Sequence, residues 1–201
     1  MLKNTTPVVK KLLKKLTIGL FGVITLVALG SLVMIWYFDQ KPRIGGDFTL
    51  NYHGSEWNLV KNAKKINVLY FGYAQCPDVC PLSLSVASQA FRQLNEAELK
   101  EVQLVFLSVD HKHDTAKQVA EYATQFFPQF IGTTGTEQQI DQTVKQFKAS
   151  YVYEKNEKSY LGYSIAHTVR LYILNKKGFV IDTIPSPRDY KIILTKIKEN
   201  L

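Results

Sequence analysis

One stretch limits what this chain can fold into more than any other, because residues 17–38 contain no charged side chain and are mostly apolar. A segment of about 22 residues is long enough, as an α-helix, to cross roughly 30 Å of hydrocarbon. Trp36 and Tyr37 lie at its far end, and aromatic rings with a polar edge favour the membrane interface. The segment therefore predicts a transmembrane helix.

The residues before this segment indicate how the helix is oriented. Residues 1–16 contain five lysines and no acidic residue, and positive charge flanking a membrane helix stays in the cytoplasm. A cleaved signal peptide is the rival interpretation, but it predicts a shorter apolar core and a small-residue cleavage site. We therefore expect a cytoplasmic N-terminus (1–16), an uncleaved anchor in a bacterial inner membrane (17–38), a linker (39–46) and one periplasmic domain (47–201).

The net charge of the chain does not indicate a nucleic-acid partner. The formal value is +8, and five of these charges belong to the lysines of residues 1–16. The remainder of the chain has no dense basic patch with interleaved aromatic residues, which is the pattern that nucleic-acid binding requires. We expect no nucleic acid among the partners of this protein.

Both cysteines of the chain, Cys76 and Cys80, lie where a strand is expected to give way to a helix. The apolar run 68–71 predicts a buried strand, Gly72 allows the backbone to turn, and Pro81 suits the first position of a helix. The free N–H groups at a helix start favour negative charge, so they favour the thiolate form of a nearby cysteine.

Two kinds of chemistry fit this pair of thiols. A four-residue loop constrains the unfolded chain little, so a purely structural disulfide is a poor explanation. One remaining use is thiol–disulfide exchange, and the other is binding of a soft metal ion. Two thiolates are too few for a closed zinc site, whereas copper(I) tolerates low coordination and would need one imidazole in addition.

Four histidines are available as a third ligand: His53, His111, His113 and His167. His53 lies in a predicted exposed turn, and the pair in the polar loop 110–114 is expected to be solvated. His167 follows a predicted loop at 154–162 and opens a predicted strand at 168–174, where a structural role is the ordinary expectation. Sequence spacing alone places none of the four beside the cysteines.

The apolar pattern predicts a mixed α/β domain. The strand at 68–71, the helix after Pro81 and the continuous apolar run at 102–109 predict a parallel strand pair covered by a helix. A turn at 175–178 joins strand 168–174 to an antiparallel partner at 179–184.

Three further helices are expected, each starting at a capping residue. The predicted caps are Asp114, Thr136 and Ser186. The residues of the last helix that are expected to face the core are Ile192, Ile193 and Ile197.

Five segments, in order along the chain, resemble the Sco/SenC/PrrC family of membrane-anchored, thioredoxin-like copper proteins. They read G-G-D-F-T-L, F-G-Y-A-Q-C-P-D-V-C-P, L-V-F-L-S-V-D followed by D-T, F-I-G-T-T-G-T, and A-H-T-V-R-L-Y-I-L-N-K-K-G. The resemblance covers most of residues 47–201. It implies a thioredoxin-like fold, with a central mixed sheet flanked by helices.

The resemblance also implies a function. Family members bind copper through two cysteines and a histidine, which correspond here to Cys76, Cys80 and His167. They act as metallochaperones that help to assemble the binuclear copper centre of cytochrome c oxidase, so subunit II of that oxidase or another copper protein is the expected partner. A disulfide between Cys76 and Cys80 would prevent copper binding.

The chain departs from the family pattern in two places. Ala166 stands where the family often has aspartate before the ligand histidine, so the imidazole lacks that carboxylate. His111 and His113 stand where the family usually has proline and arginine, and a transient copper entry point is one role open to them. Asp78, between the cysteines, either docks a partner or is simply solvated.

Alternative functions remain open at this stage. One is a periplasmic thiol–disulfide oxidoreductase that reduces the metal-binding cysteines of a partner, and another is a redox or copper sensor. The C-x-x-x-C spacing differs from the C-x-x-C of thioredoxins, which disfavours the reductase as the main role. Replacing His167 separates the two classes, since a reductase does not need it.

Overall fold

The structure is a computed structural model that describes the backbone of residues 7–39 and 43–201, and the side chains of residues 13–35 and 43–201. The chain divides into two compact units, Met1–Pro42 and Arg43–Leu201. The predictions for residues 1–6, for linker residues 40–42 and for the side chains of Trp36 and Tyr37 lie outside the described residues.

The first unit contains a single long helix, α1 (Pro7–Asp39). Its segment Leu13–Ile35, 23 residues, is long and apolar enough to cross a membrane, and it is the only such helix in the described part of the chain. The predicted transmembrane segment 17–38 lies within α1, so the length and composition of the helix agree with a membrane anchor.

The second unit contains nine strands and five further α-helices within residues 43–201. The strands are β1 (Thr49–Tyr52), β2 (Ser55–Asn58), β3 (Ile66–Gly72), β4 (Val102–Ser108), β5 (Ile131–Thr133), β6 (Tyr151–Lys155), β7 (Tyr163–His167), β8 (Arg170–Leu174) and β9 (Val180–Pro185). The helices are α2 (Val79–Phe91), α3 (Glu96–Glu101), α4 (Ala116–Phe126), α5 (Glu137–Gln146) and α6 (Tyr190–Asn200).

The central sheet has five strands in the order β5-β4-β3-β8-β9. Strands β3, β4 and β5 are parallel, whereas β8 is antiparallel to β3 and β9 is antiparallel to β8. Every residue of β3 and of β4 is buried, as expected for strands with both faces covered. The predicted mixed sheet of a thioredoxin-like fold is confirmed.

Two hairpins lie outside the central sheet. Strands β1 and β2 pair around the predicted turn at His53, and β6 pairs with β7 in a separate two-stranded sheet. Strand β7 was not predicted, because it has only five residues and directly follows the polar segment 154–162.

The predicted cap at Asp114 is wrong. Thr115 is the N-cap of α4, and its hydroxyl accepts a hydrogen bond from the Gln118 backbone N–H. Asp114 is buried at the end of β4, where its carboxylate accepts bonds from the Ala74 N–H and the Ser108 hydroxyl. A buried carboxylate must be satisfied by such donors, and the next residue is free to cap the helix.

The start of the last helix also differs from the prediction. Asp189, not Ser186, caps α6, and Ser186 adopts a positive φ of 44° while its N–H bonds to the Val169 carbonyl. Ile192 is 50% exposed, whereas Ile193 and Ile197 are fully buried. Residues 193 and 197 are four apart and share a helix face, and residue 192 lies about 100° away from it.

Two further elements, α3 and β5, were not predicted. Helix α3 carries a complete capping box between Asn95 and Glu98, a signal that is visible in the sequence. Strand β5 has only three residues and includes Gly132, so neither its length nor its composition marks it as a strand.

The neighbours Ile192 and Ile193 provide a matched test of this packing. Ile193→Ala should lower the free energy of unfolding by about 2–5 kcal/mol, because it removes a fully buried side chain. Ile192→Ala should change it by less than about 0.5 kcal/mol. Urea unfolding of the detergent-solubilised chain, followed by near-UV circular dichroism, measures both. Equal losses for the two variants would contradict the orientation of α6.

Candidate metal centre

The site lies at one edge of the central sheet, and the strand directions determine which edge. Because β3 and β4 are parallel, the carboxyl ends of both strands lie at the same edge, and loops that follow them meet there. Strand β8 runs the other way, and Leu171 near its start pairs with Tyr70 near the end of β3. The segment that leads into β8 therefore arrives at the same edge.

The loop after β3 brings the two cysteines together. The Cys76 N–H bonds to the Tyr73 carbonyl at 3.2 Å, which closes a turn, and α2 begins at Val79. Cys80 thus lies in the first turn of α2, and Pro81 occupies the third position and not the predicted first. Proline is still tolerated there, because the first N–H groups of a helix have no partner within it.

Gly72 makes room for the second sulfur. A methyl group at this position would lie 2.7 Å from Cys80 Sγ and 2.7 Å from the Phe106 ring, which is closer than van der Waals contact allows. The lack of a side chain at the end of β3 therefore permits the Cys80 sulfur to lie directly against the strand.

His167 reaches the cysteines from a different element than predicted. It ends β7 and does not open β8, since Thr168 and Val169 separate it from Arg170. Its Nε2 lies 3.3 Å from Cys80 Sγ. The imidazole packs against the rings of Tyr70 and Tyr73, and its plane is nearly perpendicular to both. Its centroid lies 6.2 Å from that of the Tyr70 ring and 6.1 Å from that of the Tyr73 ring.

Cys76, Cys80 and His167 form the only cluster of three potential metal-binding side chains among the described residues. Their donor atoms all lie within 4.8 Å of one another, and the two thiols are not bonded to each other. Cys76 is 8% exposed and Cys80 is fully buried. Two sulfurs and an imidazole nitrogen at this spacing are a donor set that suits a soft metal ion.

The surroundings shift the pKa values of the two thiols in opposite directions. The pKa of Cys76 is lowered to about 4, and the largest cause is a hydrogen bond with the Cys80 side chain. Burial opposes this shift, whereas hydrogen bonds from His167 and from the backbone at Asp78 and Cys80 add to it. Burial raises the pKa of Cys80 well above its ordinary value. The surroundings therefore favour the thiolate form of Cys76 and the neutral thiol form of Cys80.

The other predicted histidines lie away from the cysteines. His53 occupies the exposed β1–β2 turn with a positive φ of 51°. His113 is exposed but contacts Asp110, with its Nδ1 2.8 Å from the carboxylate. The expectation that His111 is solvated is wrong, because its side chain is only 10% exposed and its ring packs edge-on against Tyr153.

The departure at Ala166 leaves the imidazole without a carboxylate partner. Ala166 is exposed on β7, and the Nδ1 of His167 lies 3.3 Å from the Thr168 carbonyl oxygen instead. Asp78 is also exposed, at the N-cap position of α2, where its side chain makes no capping hydrogen bond.

Sequence reasoning missed the residue that fixes the cysteine turn to the sheet. The Asp114 carboxylate accepts the Ala74 N–H at 2.7 Å and the Ser108 hydroxyl at 2.5 Å, which joins the turn after β3 to the end of β4. The available signal was an aspartate a few residues beyond a buried strand, at the edge where the loops meet.

The comparisons with known proteins agree with this architecture. Residues 38–201 match the model of the SCO1/SenC family, and the chain belongs to that family. A SCO2-like protein of Rickettsia conorii is 32% identical over 154 residues, which are 74% of this chain and 75% of that protein.

Two solved structures with copper bound share the fold. Arabidopsis thaliana ScoI has a TM-score of 0.68 and 29% identity, covering 78% of this chain and 97% of that one. Yeast Sco1 has a TM-score of 0.69 and 28% identity, covering 79% of this chain and 88% of that one. The family membership and thioredoxin-like fold predicted from the sequence motifs are therefore confirmed.

The acidity of Cys76 predicts an unusual reactivity. In the reduced, metal-free protein its alkylation by iodoacetamide should change little between about pH 5 and about pH 8, because a thiol with a pKa near 4 is already thiolate throughout. An ordinary thiol reacts about tenfold faster for each pH unit in this range. Peptide mass spectrometry measures the rate at Cys76 alone.

Cys80→Ala provides the control for that measurement. The substitution removes the hydrogen bond that lowers the Cys76 pKa most, so the rate at Cys76 should again rise with pH. A steep pH dependence in the unmodified chain would show that Cys76 is not held as thiolate.

Proposed function

We propose that this protein is a copper metallochaperone that holds one copper ion between Cys76, Cys80 and His167. The observation that carries the proposal is the approach of these three donor atoms to within 4.8 Å of one another in a chain of the SCO1/SenC family. Thiolates and imidazole bind copper(I) well, and copper(I) tolerates a low coordination number. The copper-bound Arabidopsis and yeast structures of the same fold support this choice of metal.

The three ligands are buried to different degrees, which suits an ion that the protein binds and later releases. Cys80 is fully buried in the first turn of α2, whereas His167 is half-buried and lies on a hairpin outside the central sheet. Three donors leave a coordination position through which a ligand of a recipient enters. As the family resemblance implies, the recipient is subunit II of cytochrome c oxidase, where the ion helps to build the binuclear copper centre, or another copper protein.

Helix α1 indicates where in the cell this activity takes place. We infer that it anchors the chain in a bacterial inner membrane, with the lysine-rich N-terminus in the cytoplasm and residues 43–201 in the periplasm. Protease added to spheroplasts should then degrade the domain, and protection of the domain would reverse this orientation.

Copper binding should depend on His167 and on the redox state of the cysteines. The reduced chain should bind one copper(I) per molecule, and His167→Ala should weaken binding by more than about 100-fold, since losing a ligand costs more than disturbing its neighbours. Competition with a chromophoric copper(I) chelator measures the affinity. Oxidation to the Cys76–Cys80 disulfide should abolish binding, because it removes both thiolates.

His53→Ala is the matched control, because it removes an imidazole from the exposed β1–β2 turn, outside the cluster of Cys76, Cys80 and His167. It should leave copper affinity unchanged. Equal effects of the two histidine substitutions, or copper binding by the oxidised protein as tight as by the reduced one, would contradict the proposed site.

A second candidate function, thiol–disulfide exchange with a partner protein, is favoured by the opposite pKa shifts of the two cysteines. A thiolate near the surface and a protonated, buried resolving thiol are the components that a reductase needs. His167 distinguishes the functions: a chaperone loses copper delivery in His167→Ala, whereas a reductase keeps its activity.

Delivery itself should be measurable with purified proteins. The reduced, copper-loaded chain should transfer copper to the metal-free, reduced soluble domain of subunit II, and the His167→Ala variant should not. Size-exclusion separation followed by copper analysis of each protein measures the transfer. If the chain instead reduces an oxidised subunit II domain, and does so equally well without His167, the reductase is the better assignment.

A further inference from the structure

The hairpin β6–β7, which carries His167, has no strand pairing with the rest of the domain, because its two strands form a sheet of their own. An isolated two-stranded hairpin is at best marginally stable in water. The position of His167 over the cysteines therefore depends on side-chain contacts between the hairpin and the body of the domain.

The strongest of these contacts converge on Asp110, which is fully buried two residues beyond the end of β4. Its carboxylate accepts hydrogen bonds from the Tyr153 hydroxyl at 2.9 Å and from the Tyr163 hydroxyl at 2.5 Å. Tyr153 lies on β6 and Tyr163 on β7, so one carboxylate holds both strands of the hairpin.

The loop after Asp110 packs against the rings of the same two tyrosines. His113 stacks on Tyr163 with ring centroids 4.6 Å apart and an angle of 21°, and its Nδ1 lies 2.8 Å from Asp110. The Lys112 ammonium group lies 4.4 Å from the centre of the Tyr153 ring. His111 and His113 of this loop stand at positions that depart from the family pattern, and neither histidine is a ligand of the proposed site.

The hairpin register connects these contacts to His167. Tyr153 pairs with Ile165, and Tyr151 pairs with His167, in one antiparallel ladder. Since side chains alternate between faces along a strand, Tyr153, Tyr163 and His167 all project from the same face. The opposite face is exposed at Val152 and Ala166.

From this geometry we propose that Asp110 is a positioning residue for copper binding: through Tyr153 and Tyr163 it holds the hairpin so that His167 faces Cys76 and Cys80. The inference rests on the proposed function, since it concerns the same site. The hydroxyl of Tyr151 adds a second connection, to Asp141 on α5 at 2.7 Å, but it holds only β6.

The ionised form of Asp110 suits this role. Burial alone raises the pKa of a carboxyl group, but the hydrogen bonds from Tyr163, His113 and Tyr153 outweigh it and bring the pKa of Asp110 below its ordinary value. Hydrogen bonds to a charged acceptor are stronger than those to a neutral one.

The experiment uses the full chain in detergent, with Tyr153→Phe and Tyr163→Phe combined in one variant. This variant keeps both rings and removes only the hydroxyls that bond to Asp110, so it disturbs the fold less than a substitution of buried Asp110. Copper(I) affinity should fall about tenfold or more, as is typical when residues that orient a metal ligand are changed. Asp110→Asn should act in the same direction.

The matched control is Tyr172→Phe, because Tyr172 on β8 packs against Phe71 and Phe147, on the face of the sheet opposite Tyr70 and the cysteines. It should leave copper(I) affinity unchanged. The decisive arm repeats the double tyrosine substitution in a His167→Ala background, where it should cause no further loss, because the effect passes through His167. An equal further loss there would overturn the inference and assign the tyrosines to general folding.

Hydrogen exchange provides a readout that needs no copper. The backbone amides of β6 and β7 should exchange faster in the double tyrosine variant, and not in Tyr172→Phe. Unchanged exchange and unchanged copper affinity would overturn the positioning role and leave the proposed function intact. If His167→Ala itself left copper affinity unchanged, the proposed site would fail, and the exchange rates alone would decide whether Asp110 holds the hairpin.

Discussion

The pairing of β3 with a parallel strand on one side and an antiparallel strand on the other determines where every group of the site lies. The parallel partner, β4, brings the Asp110–Asp114 loop to the edge where the cysteine turn begins. The antiparallel partner, β8, brings the end of the β6–β7 hairpin to that same edge. Segments that lie far apart in sequence meet there because of strand direction, and the apolar burial of β3 and β4 keeps those directions fixed.

Two buried carboxylates continue this organisation beyond the sheet. Asp114 joins the cysteine turn to β4 through the Ala74 N–H and the Ser108 hydroxyl, and Asp110 joins the hairpin to β4 through two tyrosines. A buried carboxylate is costly unless its oxygens are hydrogen-bonded, so each one strongly disfavours arrangements in which its donors move away. The cysteine turn and the hairpin are thus held by two separate carboxylates, both in the loop that follows β4.

Much of the fold was predictable because local patterns agree with the final packing. The continuous apolar runs of β3 and β4, the capping box at Thr136 and the turn at 175–178 depend on neighbouring residues alone, and each was predicted correctly. The errors occurred where tertiary contacts decide. Asp114 is a good cap by type, but the buried Ala74 N–H and Ser108 hydroxyl compete for it, and α4 is capped one residue later.

The site was predictable only in part for the same reason. The pairing of Cys76 with Cys80 follows from their spacing, whereas the approach of His167 depends on an unpredicted strand, β7, and on contacts across 87 residues of sequence. Only the family resemblance selected His167 among four histidines. Asp110 carries the same signal as Asp114, an aspartate just beyond a buried strand, but its partners Tyr153 and Tyr163 lie 43 and 53 residues further along the chain, so its role could not be predicted.

The missing side chain at Gly72 has a mechanical consequence for the centre. On the Cys80 side, the sulfur rests against the backbone of a buried strand and the fully buried Phe106 ring, neither of which can retreat. On the other side, His167 lies on a hairpin attached by side chains, and Cys76 lies on a turn. The position of Cys80 is therefore set by the sheet itself, and any adjustment of the distances between the three donors falls to His167 and Cys76.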